Sequence, residues 1–283
     1  MINSVADRSD QKKPPRIAVI GDRMRDIDQH MTYVKDHEGV PVVRCVETIE
    51  RSGGSAIVAE MCKALGAVVE SVGLGESVKR RIFVDGRFTI RIDDDRSEHP
   101  TRADLAQWAA DLARFSPDLI LICDHGKGVV NRDTMDMAYA MGVPVYVDPC
   151  VRSDWSLFSQ ANCISANRNE WAKATINFAG MAIKRRDRDG VAWSCGKLPA
   201  TCNEPVDTVG AGDQFLAVLA CLRAQGESWT SAIEVANYTA GLQCERQGIV
   251  PVTAEELRFP LTHPAASSAD PSPTFCAAGL SCQ

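Results

Sequence analysis

The sequence of 283 residues carries 31 lysines and arginines against 37 aspartates and glutamates, a net charge of −6, with 45% hydrophobic and 24% charged residues. This length holds one large α/β domain or two small ones, and the acidic balance argues against a broad face for nucleic acid. No apolar run reaches the roughly 18 residues that suggest a membrane span. Residues 1–15 are polar and lack the apolar core of a secretory signal, so a cytoplasmic location is the expectation. The 11 cysteines are scattered without a CxxC pair, and the 5 histidines form no HExxH pair. Reduced thiols and no structural metal are expected.

In chain order, Ile17-Ala18-Val19-Ile20 is a continuously apolar run ending in Gly21-Asp22. Residues 31–46 are rich in β-formers, and Gly53-Gly54 open a helical pattern over 55–65. The segment 81–93 reads as a hairpin, because Asp85-Gly86 supplies a type I′ turn between β-formers. Residues 102–114 place Leu105, Trp108, Ala109 and Leu112 at helical spacing. Leu119-Ile120-Leu121-Ile122-Cys123 runs into Asp124-His125-Gly126-Lys127-Gly128. A short helix over 133–141, opened by an N-cap-type residue, precedes Val143-Pro144-Val145-Tyr146-Val147, which ends in Asp148-Pro149. Asn162-Cys163-Ile164-Ser165 runs into Asn167 and Glu170.

Short apolar strands alternating with helices predict a doubly wound, mainly parallel sheet buried on both faces. Ligands then bind beyond the carboxyl ends of the strands. That gathers Asp22, Asp124, Lys127, Asp148, Asn167 and Glu170 in one crevice. The hairpin and residues 31–46 form a small β lid, about 29–48 and 79–95, that excludes water from it. Residues 16–262 make the domain, and 1–15 and 263–283 are expected to be disordered.

Val209-Gly210-Ala211-Gly212-Asp213 precedes an amphipathic helix with Phe215, Val218, Leu219 and Leu222 on one face. Bare N–H groups at a helix start make an anion cradle, and Asp213 in the first turn can take a proton from a hydroxyl. The plain alternative is a tight turn with an acid that complements the helix dipole. A dinucleotide loop is disfavoured, because GxGxxG is incomplete.

The full string Asp207-Thr208-Val209-Gly210-Ala211-Gly212-Asp213 resembles the C-terminal signature of the ribokinase-like (PfkB) carbohydrate kinases. Gly21-Asp22 with Asp26, Gly53-Gly54 before a helix, Asn167-x-x-Glu170, and Asn237 in a late helix resemble further family motifs in the same order. The resemblance spans about residues 16–257. Asp124-His125-Gly126-Lys127-Gly128 is similar to a segment of heptose 7-phosphate kinases, the kinase half of ADP-heptose synthases.

The resemblance implies a three-layer α/β/α fold and phosphoryl transfer from ATP with Mg²⁺ to a sugar or sugar phosphate. Asp213 would be the base, with Gly210, Ala211 and Gly212 as the oxyanion cradle. Asp22, Asp26, Gly53 and Gly54 would orient the acceptor. Lys127 and Arg91 would pair with a phosphate on it; for Arg91 the alternative is solvated charge. Asn167, Glu170, Thr175, Gly180 and Asn237 would serve the nucleotide, with Glu170 holding Mg²⁺ through water. A homodimer through the lid is the assembly it allows.

The chain departs from the family at Ile57, where an asparagine usually binds the sugar. It also lacks helix–strand units after Gly75 and after Glu170. Thr175 and Gly180 resemble the TxGxxG nucleotide strand, with Asn177 at its middle, positive-φ glycine. These departures leave open a nucleoside or ketose acceptor, or a catalytically reduced sugar- or nucleotide-binding protein.

Overall fold

A computed structural model describes residues 13–258. Its main sheet has the order β12-β11-β10-β9-β8-β7-β1-β4. The central strands are β1 (Arg16–Gly21), β4 (Val68–Val72), β7 (Leu119–Cys123), β8 (Val145–Asp148), β9 (Cys163–Asn167) and β10 (Met181–Arg185), all parallel. β11 (Val191–Trp193) and β12 (Gly196–Leu198) extend the edge antiparallel.

The strand period of two decides the layers. Ile17, Val19, Leu119 and Leu121 pack on one face with α1 (Ser55–Ala64), α5 (Ala211–Ala224) and α6 (Trp229–Cys244). Ala18, Ile20, Ile120 and Ile122 pack on the other with α2 (Arg102–Phe115) and α3 (Arg132–Ala140). A strand buried on both sides has no polar face, which is why these runs are continuously apolar. The three-layer α/β/α expectation is met.

The second sheet is the lid: β2 (Arg23–His37), β3 (Val40–Gly54), β5 (Ser77–Val84) and β6 (Arg87–Asp94), in the order β3-β2-β5-β6. It is longer than the sequence pattern outlined. β2 starts directly after Asp22, and β3 runs to Gly54, so Asp26 and Gly53 are themselves lid residues. Gly54 (φ +60) is the hinge from β3 into α1, and a Cβ there would collide with the Asp22 carbonyl oxygen. The turn residues Asp85 and Gly86 have φ +47 and +78, as a type I′ hairpin requires.

Two boundaries differ from expectation. α3 is capped by Asn131, whose side chain accepts from Thr134 N, so Asp133 lies in its first turn. Pro15, placed in the N-terminal tail, is buried, and its carbonyl accepts from Val68 N at 2.9 Å. Residues 1–12 and 263–283, the rest of both expected tails, lie outside the described residues. Between β4 and β5 the chain passes straight through residues 73–76, and between α4 (Arg168–Trp171) and β10 it passes through a loop, 172–180. No crossover helix follows α4 there.

Candidate active site

The carboxyl ends of β8, β9 and β10 and the start of α5 enclose a crevice of about 640 Å³, lined among others by His125, Asp148, Glu170, Arg185 and Asp213. α5 begins at Gly210 with no side-chain cap. Ala211 N donates to the Thr208 carbonyl oxygen at a long 3.4 Å, no side chain caps the turn, and the helix dipole adds partial positive charge at the crevice. Asp213 sits in this first turn. Burial pushes its carboxyl up from the usual range, Arg185 and Lys79 draw it down, and Asp26 pushes it up. The turn before it is fixed by Asp207, whose carboxylate accepts from Val209 N at 3.0 Å and Gly248 N at 3.1 Å.

Asn167 and Glu170 form a capping box at α4. The Asn167 side chain accepts from Asn169 N and Glu170 N, and the Glu170 carboxylate accepts from Asn167 N at 2.6 Å. The spacing of the NxxE motif is thus a helix start that turns a carboxylate into the crevice. Arg185 joins this carboxylate to Asp148: its Nη2 donates to Asp148 at 2.5 Å and to Glu170 at 3.3 Å. Glu170 is pushed up to about 6 by burial and by the charge of Asp148, against the pull of Arg185. Among the described residues no three His, Cys, Asp or Glu side chains form a metal cage. Two neighbouring carboxylates nevertheless suit Mg²⁺, which keeps several waters and takes one or two carboxylates together with phosphate oxygens.

The lid closes the other side. Register places Arg51, Asp26, Lys79 and Asp93 in one cross-strand row, and Ile49, Asp28, Arg81 and Arg91 in the next. Arg51 pairs with Asp28 at 2.6 Å, and Arg81 reaches Asp28 at 3.4 Å and Asp26 at 3.6 Å. These residues line a second cavity of about 300 Å³ against Val209 and Ile249. One buried oxygen of Asp26 has no protein partner. Lys79 makes no salt bridge among the described residues, and burial pulls its ammonium down. Lys127, buried, pairs with Asp95, while Arg91 is half-exposed and held by Asp93 at 2.7 Å. His125 is kept below the usual histidine range by burial and by the charge of Lys79.

Several expected site residues take other roles. Asp22 is fully buried, and its carboxylate accepts from the N–H groups of His125 (2.8 Å), Lys127 (3.1 Å) and Val129 (3.0 Å). It positions the 125–129 loop and is not turned to an acceptor. Gly53 and Gly54 act by close approach: a Cβ on Gly53 would meet Met24 at 2.9 Å and Asp26 at 3.0 Å. Asn237 lines the crevice, but its amide is spent on Pro199 O at 2.8 Å. Ile57 is 2% exposed in the core beneath α1, so the missing asparagine leaves no gap in the crevice wall.

Thr175 and Gly180 lie at the wrong end of the sheet. Gly180 abuts the carbonyls of Ala161 and Asn162, where β9 and β10 begin, and Thr175 is exposed in the preceding loop. Asn177 is not among the positive-φ residues. The turn that reaches the crevice follows β10 instead, with Asp187 at φ +53 and Gly190 at φ +78. The loop that replaces the crossover helix drew the motif reading 10 residues too early, to Asn177 and Gly180 in place of Asp187 and Gly190. Sequence reasoning thus missed Arg185, and with it Lys79. The signal was present: residues 181–185 are one more mostly apolar run ending in a polar turn, Arg186-Asp187-Arg188-Asp189-Gly190.

A parallel α/β/α sheet whose strand ends face an uncapped helix and a β lid is the ribokinase-like fold. Arabidopsis thaliana ribokinase complexed with ribose and ATP superposes with a TM-score of 0.64 at 17% identity, over 87% of this chain and 98% of that one. Phosphofructokinase-2 from Escherichia coli in complex with potassium gives 0.67 at 12% identity, over 86% and 97%. Residues 82–255 match the pfkB family of carbohydrate kinases, and the chain belongs to that family. Among its relatives, D-beta-D-heptose 7-phosphate kinase of Bordetella bronchiseptica is 28% identical, over 86% of this chain and 95% of that protein. The bifunctional protein HldE of Caulobacter vibrioides is 30% identical, over 85% of this chain and 62% of its own length. The chain therefore spans less than two thirds of that bifunctional relative.

Proposed function

We propose that this chain transfers the γ-phosphoryl group of ATP to a hydroxyl of a sugar phosphate, with heptose 7-phosphate as the first acceptor to test. The observation that carries the reading is Asp213 in the uncapped first turn of α5, electrostatically coupled to Arg185 on the nucleotide side and to Asp26 and Lys79 on the lid. Asp213 takes the proton of the acceptor hydroxyl. The freed oxygen bonds to the γ-phosphorus as the bond to the β,γ-bridging oxygen breaks, and ADP leaves. The N–H groups of Gly210, Ala211 and Gly212 receive the charge on the transferring oxygens. Mg²⁺, held largely through water by the Glu170 oxygen that Arg185 and Asn167 leave free, would neutralise phosphate charge.

The free oxygen of Asp26 accepts from an acceptor hydroxyl. Two rows of the lid set Arg51, Lys79, Arg81 and Arg91 against Asp26, Asp28 and Asp93, and Glu47 lines the cavity in the next row. Lys79, without a salt bridge of its own, is the anchor for an acceptor phosphate.

An ADP-release screen over heptose 7-phosphate, fructose 6-phosphate, ribose and adenosine tests this reading. The expected order of kcat/KM puts a sugar phosphate first. Lys79→Met should raise the KM of that acceptor roughly tenfold or more, since a hydrogen bond to a charged group is worth about 1.5–3 kcal/mol. Preference for ribose or adenosine, with no response to Lys79→Met, would overturn the assignment of the acceptor.

A further inference from the structure

Arg185 ends β10, at the position where a nucleotide-strand motif with Asp187 and Gly190 at its two glycines would have its threonine. Its side chain is 16% exposed, yet it is a full charge at the centre of the crevice. Three acids face it from three elements: Asp148 at the end of β8, Glu170 on α4 and Asp213 on α5. Nη2 donates to Asp148 and Glu170, and Nη1 donates to the second oxygen of Asp148 at 3.3 Å. A guanidinium has five N–H donors, so two remain, one on Nε and one on Nη1. Nε is buried with no partner. Nη1 lies so close to Gly212 that a Cβ there would collide with it. The spare donor on Nη1 therefore sits over the N–H cradle at the start of α5.

This arrangement has the features of a fixed electrostatic catalyst. The transferring phosphoryl group spreads charge over its non-bridging oxygens, and the backbone cradle offers only partial charges to them. Asp148 and Glu170 hold the guanidinium from the far side. It therefore does not have to reorganise as charge develops, the condition under which such a donor is most effective. An arginine can hold both carboxylates and still present an N–H forward; a lysine, a single point charge, cannot fill both roles.

We propose that Arg185 is a further catalytic residue of this chain, donating from Nη1 to a non-bridging oxygen of the phosphoryl group held at Gly212. The inference rests on the kinase reading above and adds to it a charged contact from a position where the motif has a threonine. Without Arg185 the crevice would meet an anionic polyphosphate with the carboxylates of Asp148, Glu170, Asp187 and Asp213 and only the exposed guanidinium of Arg188.

The test compares the wild-type chain with Arg185→Met and Arg185→Lys. Calorimetry gives Kd for β,γ-methylene-ATP, ADP and adenosine, and ADP release gives kcat. Arg185→Met should lower kcat by about a hundredfold or more, the usual loss on removing one such donor. It should weaken the methylene analogue about tenfold, the worth of one charge-assisted hydrogen bond, weaken ADP less, and leave adenosine within about twofold. Arg185→Lys should restore most of the analogue's affinity and only part of kcat. Unchanged adenosine binding also reports that the variant is folded. Equal weakening of all three ligands would assign Arg185 a purely structural role and overturn the inference. So would a kcat within about threefold of wild type, far short of the loss expected for a catalytic donor. A wild-type chain that binds none of the three would overturn the kinase reading, and Arg185's role with it. Wild-type turnover with an indifferent Arg185→Met would remove Arg185 alone.

Discussion

Asp22 and Asp213 flank the same crevice, yet their surroundings give them opposite tasks. The Asp22 carboxylate is consumed by three backbone N–H groups of the 125–129 loop. Asp22→Asn replaces one acceptor oxygen by a donor facing an N–H, and an unsatisfied buried pair costs about 1–3 kcal/mol. The expected outcome is a melting temperature roughly 2–6 °C lower. Acceptor KM should also rise, because Lys127 is set by that loop. An unchanged melting temperature would show that the loop does not depend on Asp22. Asp213 instead has its charge opposed by burial and by Asp26, and supported by Arg185 and Lys79. A base works only when deprotonated, so activity is present above its raised pKa and is lost as pH falls through it. The acidic limb of kcat/KM should therefore lie above the ordinary aspartate value of about 3.9. Lys79→Met, by removing a charge that favours the carboxylate, should move that limb to higher pH. A pH–rate profile of both proteins checks the direction.

The strand-end turns decide which side chains meet the ligands, and one of them was misplaced by motif spacing. Gly190 has φ +78, and a Cβ there would strike the Leu198 carbonyl oxygen. Gly190→Ala forces a left-handed conformation that costs roughly 1–2 kcal/mol before any collision. Nucleotide KM should rise at least fivefold or so. Thr175→Ala, at the far end of the sheet, should leave it within about twofold, the scatter of a surface change. The reverse pattern would restore the nucleotide role to the 175–180 segment. The legible parts of the sequence share a physical cause. Strands buried on both faces, such as Ile17-Ala18-Val19-Ile20, admit no polar residue, so they stand out, and the acids that follow them are necessarily at one end of the sheet. Asp213 stood out because the whole string 207–213 resembles a family signature; the glycine turn alone admits a plain tight turn with an acid on the helix dipole. Arg185 was not, because its meaning depends on Asp148 and Glu170 arriving from two other strand ends. Asp22 was legible as an acid at the crevice but not as a loop anchor, since nothing local to it specifies three donors more than 100 residues away.

The two sheets divide the work of the molecule. The main sheet and α5 line one crevice with Glu170, Arg185 and Asp213. The lid lines a second cavity with Asp26, Arg51 and Arg81. Asp213 is electrostatically linked to both groups, to Arg185 on one side and to Lys79 and Asp26 on the other. On the proposed function this sets Asp213 between the two substrates, which is the arrangement that a transfer between them needs. The described residues contain no helix long and apolar enough to cross a membrane. Asp213→Asn tests the whole account most directly, because it keeps the shape of the side chain and removes its capacity to take a proton. Measured by ADP release with a sugar phosphate acceptor, and by calorimetry with nucleotide and with acceptor, the variant should lose at least about a hundredfold in kcat, the lower end of general-base catalysis. Both Kd values should stay within a few-fold. A variant that turns over at near wild-type rate would contradict the assignment of Asp213 as the base, and with it the proposed mechanism.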